Sequence, residues 1–136
     1  MQRRSKPIVL DSWSVLAFLQ GELPAERIAD LIADTQEKGA EVMMCVVNAG
    51  EVWYILAREV SPTDADASID DIRQMGIQIV DVDWELTKLA AGLKVRGGLS
   101  YADAFAAALA KQNKCELVTG DREFKVVESE IKINWI

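Results

Sequence analysis

The feature that most constrains the fold is an uninterrupted apolar run, residues 41–47, in which every position after the first is apolar. A run of this kind predicts a central parallel strand that is covered on both faces. Shorter segments rich in apolar residues predict three more strands, at residues 7–10, 77–82 and 116–119, and the alternating pattern of residues 131–136 predicts a final edge strand. Segments with a helical spacing of apolar residues lie between them. Strands that alternate with helices predict an α/β fold with a mainly parallel central sheet.

The 136 residues are few enough to predict a single domain, residues 1–136. Six helices are expected between capping residues or glycines, at residues 13–20, 24–38, 49–59, 61–75, 84–96 and 100–113. Asn48 is the expected cap of the third helix. No apolar run approaches the ~20 residues of a membrane helix, and Asp11 interrupts the N-terminal run before it could form a signal peptide. We therefore expect a cytoplasmic protein.

Four carboxylates are predicted to meet at one edge of the sheet. Asp11 and Asp121 each follow a predicted strand, whereas Glu51 and Asp103 each fall in the first turn of a predicted helix. In a parallel sheet, the C-terminal ends of the strands and the N-terminal ends of the following helices share the edge where α/β sheets bind ligands. The four side chains are therefore candidates for one common site.

Each acid also has an ordinary structural explanation. Asp11 and Asp121 can cap a helix or a turn, and Asp103 forms a capping box with Ser100. Glu51 follows Asn48 by three residues, which is the spacing of a capping box. The convergence favours a functional site, because clustered carboxylates repel one another and raise one another's pKa unless a cation neutralises them.

The composition narrows the chemistry of such a site. Histidine is absent, which excludes Ser-His-Asp and Cys-His nucleophile systems, histidine general bases and histidine-ligated zinc. The two cysteines lack the spacing of a metal site. A site made of carboxylate oxygens favours Mg²⁺ or Mn²⁺, and carboxylate-bound Mg²⁺ is suited to phosphate substrates. The sequence therefore predicts metal-dependent phosphate chemistry without specifying the ester.

Four short motifs that contain these acids resemble, in order and spacing, the motifs of PIN-domain proteins, with the closest match to the VapC toxins of type II toxin–antitoxin systems. They are Ile8-Val9-Leu10-Asp11-Ser12, Val46-Val47-Asn48-Ala49-Gly50-Glu51, Tyr101-Ala102-Asp103-Ala104 and Val118-Thr119-Gly120-Asp121-Arg122-Glu123-Phe124. The resemblance extends from about residue 7 to the end of the chain. It implies a PIN-like three-layer α/β/α fold.

The resemblance also implies a Mg²⁺- or Mn²⁺-dependent endoribonuclease. The acidic residues that match the family's catalytic and metal-binding quartet are Asp11, Glu51, Asp103 and Asp121, with Ser12 and Thr119 as supporting residues. The family pattern further implies a homodimer, a cognate VapB-like antitoxin that covers the site, and a structured RNA substrate such as tRNA or rRNA. Attack of water on a phosphodiester would then leave a 5′-phosphate and a 3′-hydroxyl.

The distribution of charge bears on how such an RNA would bind. The net charge is −7, and residues 20–83 contain four Lys/Arg against fourteen Asp/Glu. A chain this acidic is a poor general RNA binder, which favours a narrow substrate. Residues 84–125 contain seven basic and five acidic residues. They form either a solvated face or a phosphate-binding rim, in which Lys94, Arg96 and Arg122 are the candidate RNA contacts.

Two other functions are compatible with parts of the sequence. A metal-dependent phosphatase of the haloacid-dehalogenase type also has an aspartate after its first strand, but it needs a second acid two residues later, where this chain has Trp13. A non-catalytic α/β interaction module would use the four acids only as caps. Such a module predicts no metal affinity, so metal binding separates it from an enzyme.

Overall fold

A computed structural model describes residues 5–136, so the first four residues of the predicted domain lie outside the described part. The strands are β1 (Ile8–Leu10), β2 (Val42–Cys45), β3 (Ile77–Val80), β4 (Glu116–Thr119) and β5 (Ile133–Trp135). The helices are α1 (Ser12–Leu19), α2 (Ala25–Glu37), α3 (Val46–Glu59), α4 (Pro62–Gln74), α5 (Trp84–Val95) and α6 (Tyr101–Gln112), and a 3₁₀ helix covers Arg122–Val127. Among the described residues, no helix is long and apolar enough to cross a membrane.

The strands form one sheet in the order β3-β2-β1-β4-β5, and every neighbouring pair is parallel. Successive strand residues alternate between its two faces. Val9, Met43 and Leu117 pack with α5 and α6 on one face, whereas Leu10 and Met44 pack with α1, α2, α3 and α4 on the other. Helices therefore cover both faces, and the expectation of a three-layer α/β/α fold with a mainly parallel sheet is confirmed.

The order of the strands creates one topological switch point. From β1 in the centre the chain adds β2 and β3 on one side, and then crosses back to add β4 and β5 on the other. Leu10 and Val118 are direct partners in the β1–β4 pair. The segments that follow β1 and β4 therefore emerge side by side and diverge, leaving a crevice at the sheet edge where α/β proteins place ligands.

The predicted start of the third helix is wrong. β2 ends at Cys45 and α3 begins at Val46, so Asn48 lies inside the first turn of α3 and does not cap it. Cys45 takes the cap position with an extended backbone and no side-chain hydrogen bond. Asn48 is completely buried, and its Nδ2 atom donates to the carbonyl of Ala102 at 3.0 Å. The Asn48 side chain therefore links α3 to α6 and does not cap its own helix.

This shift also moves Glu51 from the first turn of α3 to the second. A capping box with Asn48 is therefore excluded as the explanation of Glu51. The other helix ends lie within one residue of their predicted positions. Four of the five strands are shorter than predicted, and only β4 keeps its predicted bounds. The strand predicted at residues 41–47 ends where α3 begins, and those predicted at 7–10, 77–82 and 131–136 shorten to β1, β3 and β5.

Candidate metal centre

Asp11 directly follows β1 and caps α1. Its Oδ1 atom accepts hydrogen bonds from the backbone N–H of Ser14 at 2.9 Å and from the Ser14 hydroxyl at 2.8 Å. Its Oδ2 atom accepts from the hydroxyl of Thr119, at the end of β4, at 2.5 Å. Complete burial raises the pKa of Asp11 to about 6, and the hydrogen bonds from Thr119 and Ser14 oppose this rise. Asp11 thus caps α1 and also lies in the crevice between the ends of β1 and β4.

Asp103 lies in the first turn of α6, where its backbone N–H donates to the hydroxyl of the cap residue Ser100 at 3.2 Å. Its side chain is 7% exposed. Burial raises the pKa of Asp103 to about 7, and the negative charges of Asp121, Asp11 and Glu51 raise it further. The charges of all three other predicted acids act on Asp103, so the four carboxylates lie within electrostatic range of one another.

Asp121 follows β4 and caps the 3₁₀ helix. Its backbone N–H donates to the hydroxyl of Thr119 at 3.0 Å, and its Oδ1 atom accepts the N–H of Glu123 at 3.0 Å. Carboxylate oxygens of Asp103, Asp121 and Glu123 lie within 4.8 Å of one another, which is close enough to share one cation. Glu123 is therefore a candidate ligand that the sequence interpretation missed.

A local signal for Glu123 was present in the sequence. It stands two residues after Asp121, in a segment that reads as a single turn. A side chain that caps such a turn accepts the N–H of the residue two positions on, which holds the two residues close together. The spacing of Asp121 and Glu123 across this turn therefore predicts that their carboxylates lie close together.

Glu51 is half-buried in the second turn of α3, and its Oε1 atom accepts a hydrogen bond from the Ser12 hydroxyl. Ser12 and Thr119 therefore each donate to a carboxylate of the cluster. A hydroxyl that donates to a carboxylate favours its ionised form. The Thr119 hydroxyl opposes the rise in the pKa of Asp11, and the Ser12 hydroxyl holds the Glu51 carboxylate in its orientation.

The three candidate RNA contacts have different environments. Lys94 Nζ donates to the carbonyl of Leu99 at 2.9 Å. Arg96 forms an ion pair of 2.6 Å with Glu130, on the outside of α5. Arg122 directly follows Asp121, and its guanidinium lies 5.3 Å from the centre of the Trp135 ring. Of the three, Arg122 is the one adjacent to the carboxylates.

The chemistry of these donors fits a hard divalent cation. Asp103, Asp121 and Glu123 offer carboxylate oxygens at a common point, and Asp11 and Glu51 add negative charge around it. Oxygen ligands with no histidine or thiolate suit Mg²⁺ or Mn²⁺ better than Zn²⁺. A bound cation would also remove the repulsion that raises the pKa of Asp103.

Replacing Thr119 by valine is expected to raise the pKa of Asp11 above its value of about 6, because the substitution removes a hydrogen bond to the ionised carboxylate. The measurement is a pH titration of the Asp11 carboxyl carbon by NMR in metal-free buffer. Thr87→Val is a control, because the Thr87 hydroxyl donates to a backbone carbonyl in the first turn of α5. An unchanged or lower pKa in Thr119→Val would contradict the role of this hydroxyl.

A comparison with protein-family models matches residues 8–130 to the PIN domain. That match covers the four acids, Glu123 and the whole sheet except β5. Among curated protein sequences no relative matches.

Several solved structures share this fold at low sequence identity. The VapC20 toxin of Mycobacterium tuberculosis, described as cleaving the sarcin–ricin loop, has a TM-score of 0.70 and 21% identity over 88% of this chain and 94% of its own. VapBC2 of Rickettsia felis bound to promoter DNA has a TM-score of 0.74 and 17% identity over 96% of this chain and 98% of its own. VapBC-1 of Haemophilus influenzae has a TM-score of 0.71 and 12% identity over 95% of this chain and 97% of its own. At such identities the likeness establishes the fold.

Proposed function

The chain belongs to the PIN-domain family, and on this premise we propose that it is a Mg²⁺- or Mn²⁺-dependent endoribonuclease, the toxin of a VapBC-type toxin–antitoxin pair. The observation that carries the proposal is the convergence of Asp11, Glu51, Asp103 and Asp121 at the switch point of the sheet. A fold that gathered four mutually repelling acids without a cation would lose stability for no compensating gain.

Each acid has a distinct part in this proposal. Asp103 and Asp121, with Glu123, would hold the cation, and Asp11 would hold it directly or through water. The cation, when bound, would lower the pKa of a coordinated water and neutralise charge on the scissile phosphate. Glu51 would orient the attacking water through the oxygen that Ser12 does not occupy.

The chemical outcome is hydrolysis of a phosphodiester. The water oxygen would form a bond to phosphorus, the bond from phosphorus to the 3′ oxygen would break in line with the attack, and the leaving 3′ oxygen would take a proton from solvent water. Glu51 would accept the proton that the water loses. The products are a 5′-phosphate and a 3′-hydroxyl.

The partners proposed for this chain are a structured RNA such as tRNA or rRNA, a VapB-like antitoxin and a second copy of itself. Similar structures include VapBC complexes and a toxin described as cleaving the sarcin–ricin loop, which supports the RNA and the antitoxin as classes of partner. The proposed compartment is the cytoplasm, where these RNAs are found.

Contacts with the RNA would come from a restricted part of the surface. Arg122 lies beside Asp121, and its stacking on Trp135 holds the guanidinium in a defined position for a phosphate. Lys94 and Arg96 would add positive charge farther from the acids. In an otherwise acidic chain, this arrangement favours recognition of one RNA structure over general binding.

The experiment that tests the proposal is cleavage of total cellular RNA by the purified chain, freed of any partner, in Mg²⁺, Mn²⁺ or EDTA. We expect discrete fragments with 5′-phosphates that require the metal. Asp11→Asn should reduce cleavage at least about 100-fold, since it removes a carboxylate that acts on the ion. Asp30→Asn removes the same charge from the exposed side of α2 and should cleave normally.

Fragments that persist in EDTA or in Asp11→Asn would contradict the assignment of the site. Absence of cleavage together with absence of any Mn²⁺-induced rise in melting temperature would favour the non-catalytic interaction module, in which the acids serve as caps.

A further inference from the structure

One buried polar atom of this site has no partner. Among residues 5–136, the Oδ1 atom of Asn48 is the only buried side-chain nitrogen or oxygen that makes no hydrogen bond. Leaving such an atom unsatisfied is unfavourable, so native structures seldom retain one without a reason. Asn48 lies one helical turn before Glu51 on the same side of α3, and its side chain reaches the residue that precedes Asp103.

The orientation of the Asn48 amide is fixed by its other contact. The carbonyl of Ala102 can only accept a hydrogen bond, so the atom 3.0 Å away must be the amide nitrogen. The oxygen therefore occupies the other arm of the planar amide, between the helices that carry Glu51 and Asp103. Exchanging the two atoms would place two acceptors against each other.

The hydroxyl groups around the cluster are already committed to carboxylates. The Ser12 hydroxyl donates to Glu51, and those of Ser14 and Thr119 donate to Asp11. Bulk water does not satisfy the Asn48 oxygen either, because the residue has no exposed surface. A ligand bound beside the carboxylates is therefore the candidate for the missing partner.

We propose that Asn48 is a further metal-binding residue, whose Oδ1 atom coordinates the cation directly or through one of its coordinated waters. This inference rests on the proposed function and adds a ligand to the same site. Amide oxygens are ordinary ligands of hard divalent cations. A neutral donor has a physical advantage at this position, because it completes the coordination of the ion without adding a further negative charge to the cluster.

The test is a Mn²⁺ titration by calorimetry, together with the Mn²⁺-induced shift in melting temperature, on two variants that separate the oxygen from the nitrogen. Asn48→Leu removes both atoms, whereas Asn48→Asp keeps the oxygen, replaces the donor to Ala102 by a second oxygen and adds a negative charge. We expect Asn48→Leu to weaken Mn²⁺ binding about 10-fold or more. We expect Asn48→Asp to bind Mn²⁺ at least as tightly as the unmodified chain.

Asn113 provides a matched control, because its Nδ2 atom donates to the Leu109 carbonyl at 2.9 Å at the opposite end of α6. Asn113→Leu should leave Mn²⁺ binding unchanged. Circular dichroism of each metal-free variant checks folding, and Asn48→Ala replaces the leucine variant if leucine prevents folding.

Two results would overturn the inference. Unchanged Mn²⁺ affinity in the apolar variant would mean that the Asn48 oxygen does not serve the ion. Equal weakening in Asn48→Asp and Asn48→Leu would mean that Asn48 only anchors α6 through its nitrogen. Failure of the unmodified chain to bind Mn²⁺ would instead overturn the proposed function itself, and Asn48 with it.

Discussion

Replacing Asp103 by asparagine is expected to stabilise the metal-free protein at pH 8 and to abolish RNA cleavage. The side chain is 7% exposed and its pKa is raised from 3.8 to about 7, so at pH 8 the folded protein holds a buried ionised carboxylate beside other acids. A rise of this size corresponds to about 4 kcal/mol of unfavourable interaction for the ionised form. Asparagine keeps the polar group without the charge, so we expect a gain of about 2 kcal/mol in the free energy of unfolding.

The pH dependence of stability gives this prediction its sign. The pKa of Asp103 is higher in the folded chain than in the unfolded chain, so between about pH 4 and pH 7 the folded state binds more protons. The metal-free protein therefore loses stability as pH rises through this range. Asp11, with a pKa raised to about 6, contributes in the same direction. The free energy of unfolding of Asp103→Asn should therefore fall less steeply with rising pH, because only the contribution of Asp11 remains.

The measurement is urea-induced unfolding in EDTA at a series of pH values, with Asp30→Asn as the control for removal of an exposed charge. Added Mn²⁺ should reverse the order of stability, because the ion stabilises the unmodified chain by binding only its folded state. A metal-free Asp103→Asn protein that is less stable than the unmodified chain at pH 8 would weaken the case for a cluster of repelling acids.

Replacing Gly120 by alanine is expected to destabilise the protein by about 2 kcal/mol, through overpacking against Trp13. A methyl group at Gly120 would lie 2.6 Å from two carbons of the Trp13 ring, well inside van der Waals contact. The indole is rigid, so either the ring leaves its packing position or the backbone moves. Gly120 stands between Thr119 and Asp121, so a backbone shift would also displace two side chains of the site and lower RNA cleavage.

A double-mutant cycle with Trp13→Leu tests this explanation. In the Trp13→Leu background the clash is absent, so Gly120→Ala should cost little, and the coupling energy between the two sites should be about 2 kcal/mol. Gly92→Ala is the control, because nothing lies within 4 Å of a methyl group at that position of α5. Equal costs of Gly120→Ala in both backgrounds would show that Trp13 is not the cause.

The local sequence predicted most of the fold because its signals are short-range. Apolar runs of strand length and capping residues such as Ser100 depend on neighbours within a turn, and α6, which Ser100 caps, lies where expected. Asp11 and Asp121 illustrate the same point for the site, since capping was one of two explanations offered for each, and each is a cap in the structure. Their position after parallel strands was sufficient to predict that they meet.

The contacts of Asn48 and Glu123 depend on the tertiary structure. Asn48 has the local properties of a cap, but burial between α3 and α6 made its contact with Ala102 more favourable than a bond to its own helix. Glu123 looked like one exposed acid among many, and only the approach of α6 to the end of β4 placed it beside Asp103. The sequence by itself determined which residues carry charge and the approximate position of each element, except the start of α3. The packing of α3 and α6 against the switch point determined which of those residues share a site, because distances between separate elements are set by the core between them.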